Sequence, residues 1–452
     1  FQSGLSEEEL YSQVSLLIIS NKISRVIAIG KTISTFKRKF INGIVFENTS
    51  EFINAYDTLE FENETILIKG ARDFHFEQIV TLLEQKTHET VLEINLNAIS
   101  HNLNFFKSKL NSTTKLMVMV KAFGYGNGGF EIAKLLEHHK VDYLGVAFAD
   151  EGIALKNAGI TIPIMVLNPE STSFEAIIHY NLEPEIYSIK GLKSFIKTAE
   201  HKKVLQYPIH IKLDTGMHRL GFQENDIPNL IELLASCENI KVKSILSHMA
   251  TSDSMEHNDF SFSQIHLFDK LSSELKIALN SNPIRHILNT SGISNFPEAQ
   301  FDMVRLGIGL YGISNDEDEQ KYLENVGTLK SVISQIRTIQ AGESVGYGRR
   351  FVAERETKVA TIPIGYADGI SRQLGNGVGY LLVNHKKAPI IGSVCMDMLM
   401  IDVTEIDCKE GNTVIIFGEQ PTINEIAKLL ETIPYEILTS ISQRVKRIFY
   451  RE

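Results

Sequence analysis

Cysteine is scarce: Cys237, Cys395 and Cys408 are the three in 452 residues, and none sit in a CxxC spacing. That excludes a disulfide framework and fits a reducing compartment. Long apolar runs are also missing. The longest, residues 14–19 and 116–120, suit a core helix or strand and fall short of the ~18 residues of a membrane span. A basic surplus is absent: 45 Lys and Arg against 55 Asp and Glu leave a formal charge of −10. A nucleic-acid binder would show the opposite balance. The opening FQSGLSEEEL is polar and acidic, so no secretory signal is expected there, and residues 1–4 read as the remnant of a protease-cleavable tag. These absences point to a cytoplasmic protein with neither membrane nor nucleic acid as partner. No metal site is expected either. His138 and His139 are adjacent, and neighbours in a helix do not share a face.

Hydrophobic content of 43% and charged content of 22% are those of an ordinary globular protein, long enough for two or three domains. Residues 1–86 read as a small α/β module of Rossmann-like type. Helices are predicted at 6–20, 50–60 and 74–85, and strands at 25–30, 44–50 and 64–72. In IAIGKTIS (27–34) a Gly-Lys-Thr follows a strand. The first glycine of a phosphate loop is missing, because Arg25 stands there, so an ordinary turn is expected. The polar stretch 85–89 is the predicted junction.

From 91 to 315 apolar strands alternate with helical stretches. KLMVMV, YLGVAF, IPIMVL, PIHIKL, KSILSHM and IRHILN are the strand candidates. That rhythm predicts a TIM-type (β/α)8 barrel over residues 87–322, with its chemistry at the C-terminal strand ends. Lys121, Lys212, His248 and Asn289 all fall there. Beyond the acidic link at 315–319 the texture changes to alternating residues and many glycines. Residues 323–452 are therefore expected to form a mainly antiparallel β domain, closed by one helix and a basic tail.

The most chemical feature is Lys121, which follows the apolar run LMVMV and enters the glycine-rich loop AFGYGNG. An ammonium is costly to desolvate at such a site, and lysines held there become nucleophiles toward carbonyl cofactors. Glycines and Tyr125 just downstream suit a phosphate. The combination suggests pyridoxal phosphate on Lys121.

Seven motifs extend this reading: VKAFGYGNG (120–128), KLDTGMHRLG (212–221), SHMATSD (247–253), DMVRLGIGLYG (302–312), VGYGRRF (345–351), PIGYADG (363–369) and VCMDMLMIDV (394–403). In this order they resemble the pyridoxal-phosphate-dependent alanine racemases, over residues 88–452. The resemblance implies a barrel followed by a β domain, and a head-to-tail homodimer with shared active sites. It implies interconversion of L- and D-alanine by two opposed bases, Lys121 and the partner's Tyr347. D-alanine feeds peptidoglycan. A serine or broader racemase of the same fold, or a non-catalytic cofactor-binding barrel, are the rival readings. A decarboxylase is disfavoured by Arg305.

The resemblance also assigns supporting residues. His248, Asn289 and Arg305 would surround the cofactor, with Arg305 against its ring nitrogen. Tyr125, Thr290, Gly307 and Ile308 would hold its phosphate. The family's C-terminal phosphate tyrosine is expected at Gln443, an apparent departure. Arg219 would bind the substrate carboxylate, helped by the backbone of Met396 from the partner. Lys212 matches a lysine that is carbamylated in many members; a direct ion pair with a nearby acid is the alternative. His218 has no assigned role. Tyr366 and Asp368 would narrow the way into the site, unless they form only a turn cluster. Residues 66–80, ILIKGARDFHFEQIV, resemble the C-terminal end of the ligase that adds D-alanyl-D-alanine to a muramoyl tripeptide. Some bacteria fuse that ligase to the racemase. The ligase's nucleotide loop and central domain are not in the chain, so no ligase activity is expected.

Overall fold

In the computed structural model, which describes residues 5–40, 43–61, 64–70, 74–83 and 89–451, Ser6 opens the first helix, Glu7–Ser20, through a capping box with Glu9. The chain divides into two units, Phe1–Thr87 and His88–Glu452. The tag-like residues 1–4 and all but the last residue of the polar junction at 85–89 lie outside the described residues.

In the first unit β1 (Ile27–Ile29) pairs in parallel with β2 (Ile44–Phe46). Gly30 turns β1 into the short helix Lys31–Thr35, and the Ser34 hydroxyl donates to the Gly30 carbonyl at 2.6 Å. This is the ordinary turn expected at IGKT. The third strand expected over 64–72 does not form across the described residues 64–70, and Leu67 is 81% exposed. Its apolar run supplied the side-chain pattern, but a strand also needs a ladder partner for its backbone groups. Two paired strands make little core. None of the first helix's residues is buried, and Leu16, Leu17 and Ile19 are mostly exposed.

The second unit starts with β3 (Val91–Asn95) and then builds a parallel ring. Its strands are β4 (Lys115–Met119), β5 (Tyr143–Val146), β6 (Ile164–Val166), β7 (Glu183–Ile186), β8 (Tyr207–Lys212), β9 (Ile240–Leu246), β10 (Ile284–His286) and β11 (Met303–Leu306). The sheet order is β10-β9-β8-β7-β6-β5-β4-β11. Its two ends meet through Asp302 N–H to Arg285 O and Arg305 N–H to Leu288 O, both 3.0 Å, which nearly closes the barrel. All six predicted barrel strands are present, and β7 and β11 complete the eight. Outer helices cover the ring with one apolar stripe each. Ile189–His201, for example, buries Leu192, Phe195 and Ala199, at helical spacing.

The β domain comprises β12 (Gly327–Val332), β13 (Gln335–Ile339), β14 (Ser344–Val345), β15 (Phe351–Val352), β16 (Thr357–Ile362), β17 (Tyr380–Val383), β18 (Lys386–Ile391), β19 (Leu399–Asp402), β20 (Thr413–Phe417) and β21 (Lys446–Tyr450). Its main sheet runs β13-β16-β19-β18-β17-β20-β12-β3-β21. Every pair in it is antiparallel except β21 with β3. Three features differ from the sequence reading. The strand at 91–95 belongs to this sheet and not to the barrel alternation, and the basic tail is the edge strand β21. A second helix, Pro434–Ser440, follows Ile423–Leu429.

Leu92 is 1% exposed on β3, between two ladder partners, whereas Leu16 is 67% exposed. Leu92→Ala should destabilise the second unit by about 2–5 kcal/mol, and Leu16→Ala should stay within about 0.5 kcal/mol of the parent. Urea denaturation followed by circular dichroism checks both.

Candidate active site

A cavity of about 610 Å³ lies at the C-terminal ends of the barrel strands. Four cations line it, Lys121, Lys212, Arg219 and Arg305, against one carboxylate, Glu185. Tyr125, His248, Asn289, Thr290 and Gly307 also line it, so the structure brings together nine of the residues singled out in the sequence. Ile308 follows directly, at the start of the buried turn Ile308–Tyr311.

Lys121 leaves β4 into an unusual segment. Ala122, Phe123, Gly124 and Tyr125 have φ of 51°, 55°, 59° and 53°, a turn of left-handed backbone. That conformation costs roughly 1–2 kcal/mol for each residue with a side chain. Glu151 holds its start, accepting from the N–H groups of Ala122 at 2.5 Å and Ala147 at 2.7 Å. Strain of this kind persists at sites that need a fixed geometry. Burial, then the Arg219 and Lys212 charges, push the Lys121 amine below the ordinary lysine range. Its neutral, nucleophilic form is thereby favoured.

Arg305 is 5% exposed and its ionisation is pulled down to about 10 by burial. Its guanidinium donates to the carbonyls of Ser247 at 2.6 Å and Ile287 at 2.9 Å, and meets His286 Nδ1 at 2.8 Å and His248 Nδ1 at 3.3 Å. Arginine can only donate, so both Nδ1 atoms accept, which fixes the tautomers. From there a buried line continues. His286 Nε2 donates to Ser244 Oγ at 2.9 Å, Ser244 to His210 Nδ1 at 2.6 Å, and His210 Nε2 to Glu183 at 2.8 Å. Sequence reading missed His286, Ser244, His210 and Glu183. The available signal was a polar residue at alternate positions of otherwise apolar strands, as in His210 and Lys212 on β8.

The cradle for a phosphate fits the residues present. Thr290 Oγ1 accepts from the Gly307 N–H at 2.8 Å. A side chain at Gly307 would come within 3.1 Å of the Tyr125 hydroxyl, so only glycine leaves that space open. Burial pushes the Tyr125 phenol up, keeping it a neutral donor. Tyr435, from the helix Pro434–Ser440, also lines the cavity, with its ring 5.9 Å from that of Tyr125. This corrects the expectation at Gln443, which is exposed and away from the cavity. Tyr435 lies eight residues before Gln443, in IPYE. Asn289 is committed to capping, accepting from Gly292 N–H at 3.0 Å and Ser252 Oγ at 2.7 Å.

Lys212 donates to Glu185 Oε1 at 2.9 Å, the ion pair kept open as one alternative. His218 is exposed and bonds to Asp214 at 3.0 Å. Among the described residues there is no group of three or more His, Cys, Asp or Glu that could hold a metal ion. No helix among them is long and apolar enough to cross a membrane.

The remaining candidates sit elsewhere, on the β domain. Tyr347 is 75% exposed in a turn between Gly346 and Gly348, and lines a second cavity with Met396. The Tyr366 turn packs on Met396. Ala367 N–H donates to the Met396 carbonyl at 3.0 Å, and a side chain at Gly365 would strike that oxygen at 2.3 Å. Asp368 is buried, accepting from Gly365 N–H at 2.8 Å and Arg444 at 2.6 Å, so it fixes this turn. Tyr366 is exposed on the same block.

Residues 94–315 match the family model "Alanine racemase, N-terminal domain" and residues 326–449 match "Alanine racemase, C-terminal domain". Alanine racemase 2 of Caldanaerobacter subterraneus subsp. tengcongensis is 39% identical over 370 residues, covering 80% of this chain and 94% of that protein. The chain belongs to the alanine racemase family. Among solved structures, the alanine racemase of Clostridium difficile 630 is similar with a TM-score of 0.76 and 36% identity, covering 81% of this chain and 96% of that one. The alanine racemase of Bartonella henselae, with covalently bound pyridoxal phosphate, has a TM-score of 0.72 and 30% identity, covering 80% and 99%. The racemase similarity coincides with the second unit.

Burial and the Arg305 charge hold His248 and His286 neutral, well below the ordinary 6.5. Both rings protonate near 6.5 when the chain unfolds, so their stabilisation is present above that pH and is lost as pH falls below it. The urea midpoint should drop between about pH 7.5 and about pH 5.5, with each group contributing at most about 1.4 kcal/mol per pH unit. His286→Gln keeps a donor and an acceptor but does not titrate, so its dependence should be shallower. Equal slopes in the two proteins would contradict the assignment.

Proposed function

We propose that the chain interconverts L- and D-alanine as a homodimer carrying pyridoxal phosphate on Lys121. The carrying observation is the cavity itself, with the nucleophilic Lys121 beside Lys212, Arg219 and Arg305 and one carboxylate, Glu185. Such an excess of positive charge in one cavity suits two anions, a phosphate and a substrate carboxylate. The cofactor supplies the electron sink that lets a Cα–H bond break.

The residues divide the work. Tyr125, Tyr435 and Thr290 offer hydroxyls to the phosphate, with the backbone at Gly307 and Ile308. Arg305, a cation fixed by the Ser247 and Ile287 carbonyls, would be the residue to hold the cofactor's ring nitrogen and would disfavour its protonation, limiting side reactions. Arg219 takes the substrate carboxylate. Lys121 would hold or return the α-proton on one face. A second acceptor is needed on the other face, and Tyr347 is not in this cavity. The partner's Tyr347 completes the pair, and the partner's Met396 assists the carboxylate through its N–H. A phenol is a weak base near neutrality, with an unperturbed value near ~10, and needs a cation nearby, which Arg305, bonded to the neutral His248, supplies. Tyr366, with Asp368 fixing its turn, narrows the way in. The setting is the bacterial cytoplasm, where D-alanine feeds peptidoglycan.

The first unit lies outside the racemase similarity. We read it as the closing piece of a Mur-type ligase of Rossmann-like design. A pair of parallel strands with flanking helices supports that reading.

Borohydride treatment of the purified protein should bleach a visible band and leave the reduced cofactor on the Lys121 peptide. Lys121→Ala should remove the band. Tyr347→Phe should keep the band, retain α-proton exchange from D-alanine and lose it from L-alanine, read by deuterium incorporation. Equal loss from both enantiomers, with cofactor bound, would overturn the two-base assignment.

A further inference from the structure

Glu185 is wholly buried on β7, and burial pushes its carboxyl above the usual range. Oε1 accepts from Lys212, on the neighbouring strand β8, at 2.9 Å. Oε2 has no hydrogen-bond partner, although the residue lines the cavity with Lys212 and Arg219. Buried polar atoms are nearly always satisfied, and an orphaned acceptor at a binding cavity calls for a donor that arrives later.

We propose that Glu185 is the anion that positions Arg219. It keeps Lys212 an unmodified ammonium, and its free oxygen receives the Arg219 guanidinium once a substrate carboxylate is bound. The inference rests on the racemase reading and departs from the carbamylated lysine of other members.

Carbamate formation needs a neutral amine. The Nζ lone pair adds to the carbon of CO2, an N–C bond forms, and one N–H proton leaves to solvent. An amine donating to a carboxylate keeps that proton. A carbamate on Lys212 would also set a second anion against Glu185 inside the barrel. Two such anions in close contact at low dielectric resist joint ionisation. Glu185 already supplies, from the adjacent strand, the negative charge that a carbamate would add. It is therefore a positioning residue acting through Arg219.

The test equilibrates the holoenzyme with isotopically labelled bicarbonate and observes the carbamate carbon by NMR. Wild-type protein should show no bound carbamate. Glu185→Gln should gain one signal, which disappears when Lys212→Ala is added. In CO2-free buffer Glu185→Gln should raise the KM for alanine several-fold with a smaller change in kcat, and bicarbonate should restore the KM. A carbamate on the wild-type protein overturns the proposal, as does a KM in Glu185→Gln equal to that of wild type in CO2-free buffer. The wild-type spectrum needs neither a variant nor turnover, so it stays decisive when Glu185→Gln does not fold. Failure of the racemase reading would appear separately, as absence of alanine exchange in the wild-type protein.

Discussion

Positive charge gathered in one cavity, part of it buried, is the constraint on which this site depends. Lys121, Lys212, Arg219 and Arg305 face one cavity with a single carboxylate among them. Isolated charges in such surroundings are expensive, and the chain manages each differently. Arg305 is wrapped by backbone carbonyls and histidine nitrogens. Lys212 is matched by Glu185. Lys121 has its amine biased toward neutrality. Arg219 remains exposed to the cavity, ready for an anion. The same unbalanced field thus recruits the ligands and activates the nucleophile.

The barrel supplies the precision this arrangement needs. Parallel strands end at one rim, so residues far apart in sequence arrive together. The buried line from Arg305 through His286, Ser244 and His210 to Glu183 crosses four further strand positions inside the ring. Each member has its hydrogen-bond direction set by the donor-only arginine at one end and the carboxylate at the other. Such a network specifies register as well as charge, because a slip of one residue would turn every polar group outward.

Much of this was legible in the sequence where chemistry and motif coincide. Lys121 stands out as a charge at the end of an apolar run, Arg219, Arg305 and Thr290 followed from the motifs of the resembled family, and six strands followed from the alternation of apolar and helical stretches. Strand β7 was harder, since EPEI carries two carboxylates and a proline, the reverse of strand preference. Its acids are tolerated because His210 and Lys212 on β8 pair with them, a fact of tertiary structure. Tyr435 was hidden because the helix that presents it, Pro434–Ser440, was not foreseen in the sequence. The expected strand over 64–72 failed for the opposite reason. Its local pattern was right, but no neighbouring strand took it up.

The β domain's central sheet has a consequence for biogenesis. Strand β3 emerges from the ribosome before any of the barrel, yet both of its neighbours, β12 and β21, are synthesised hundreds of residues later. The ring can close while β3 still hangs from it with two open edges, the kind of surface that invites mispairing. Maturation of this enzyme is therefore tied to synthesis of β12 and β21, and a chain stalled before them would be a substrate for chaperones.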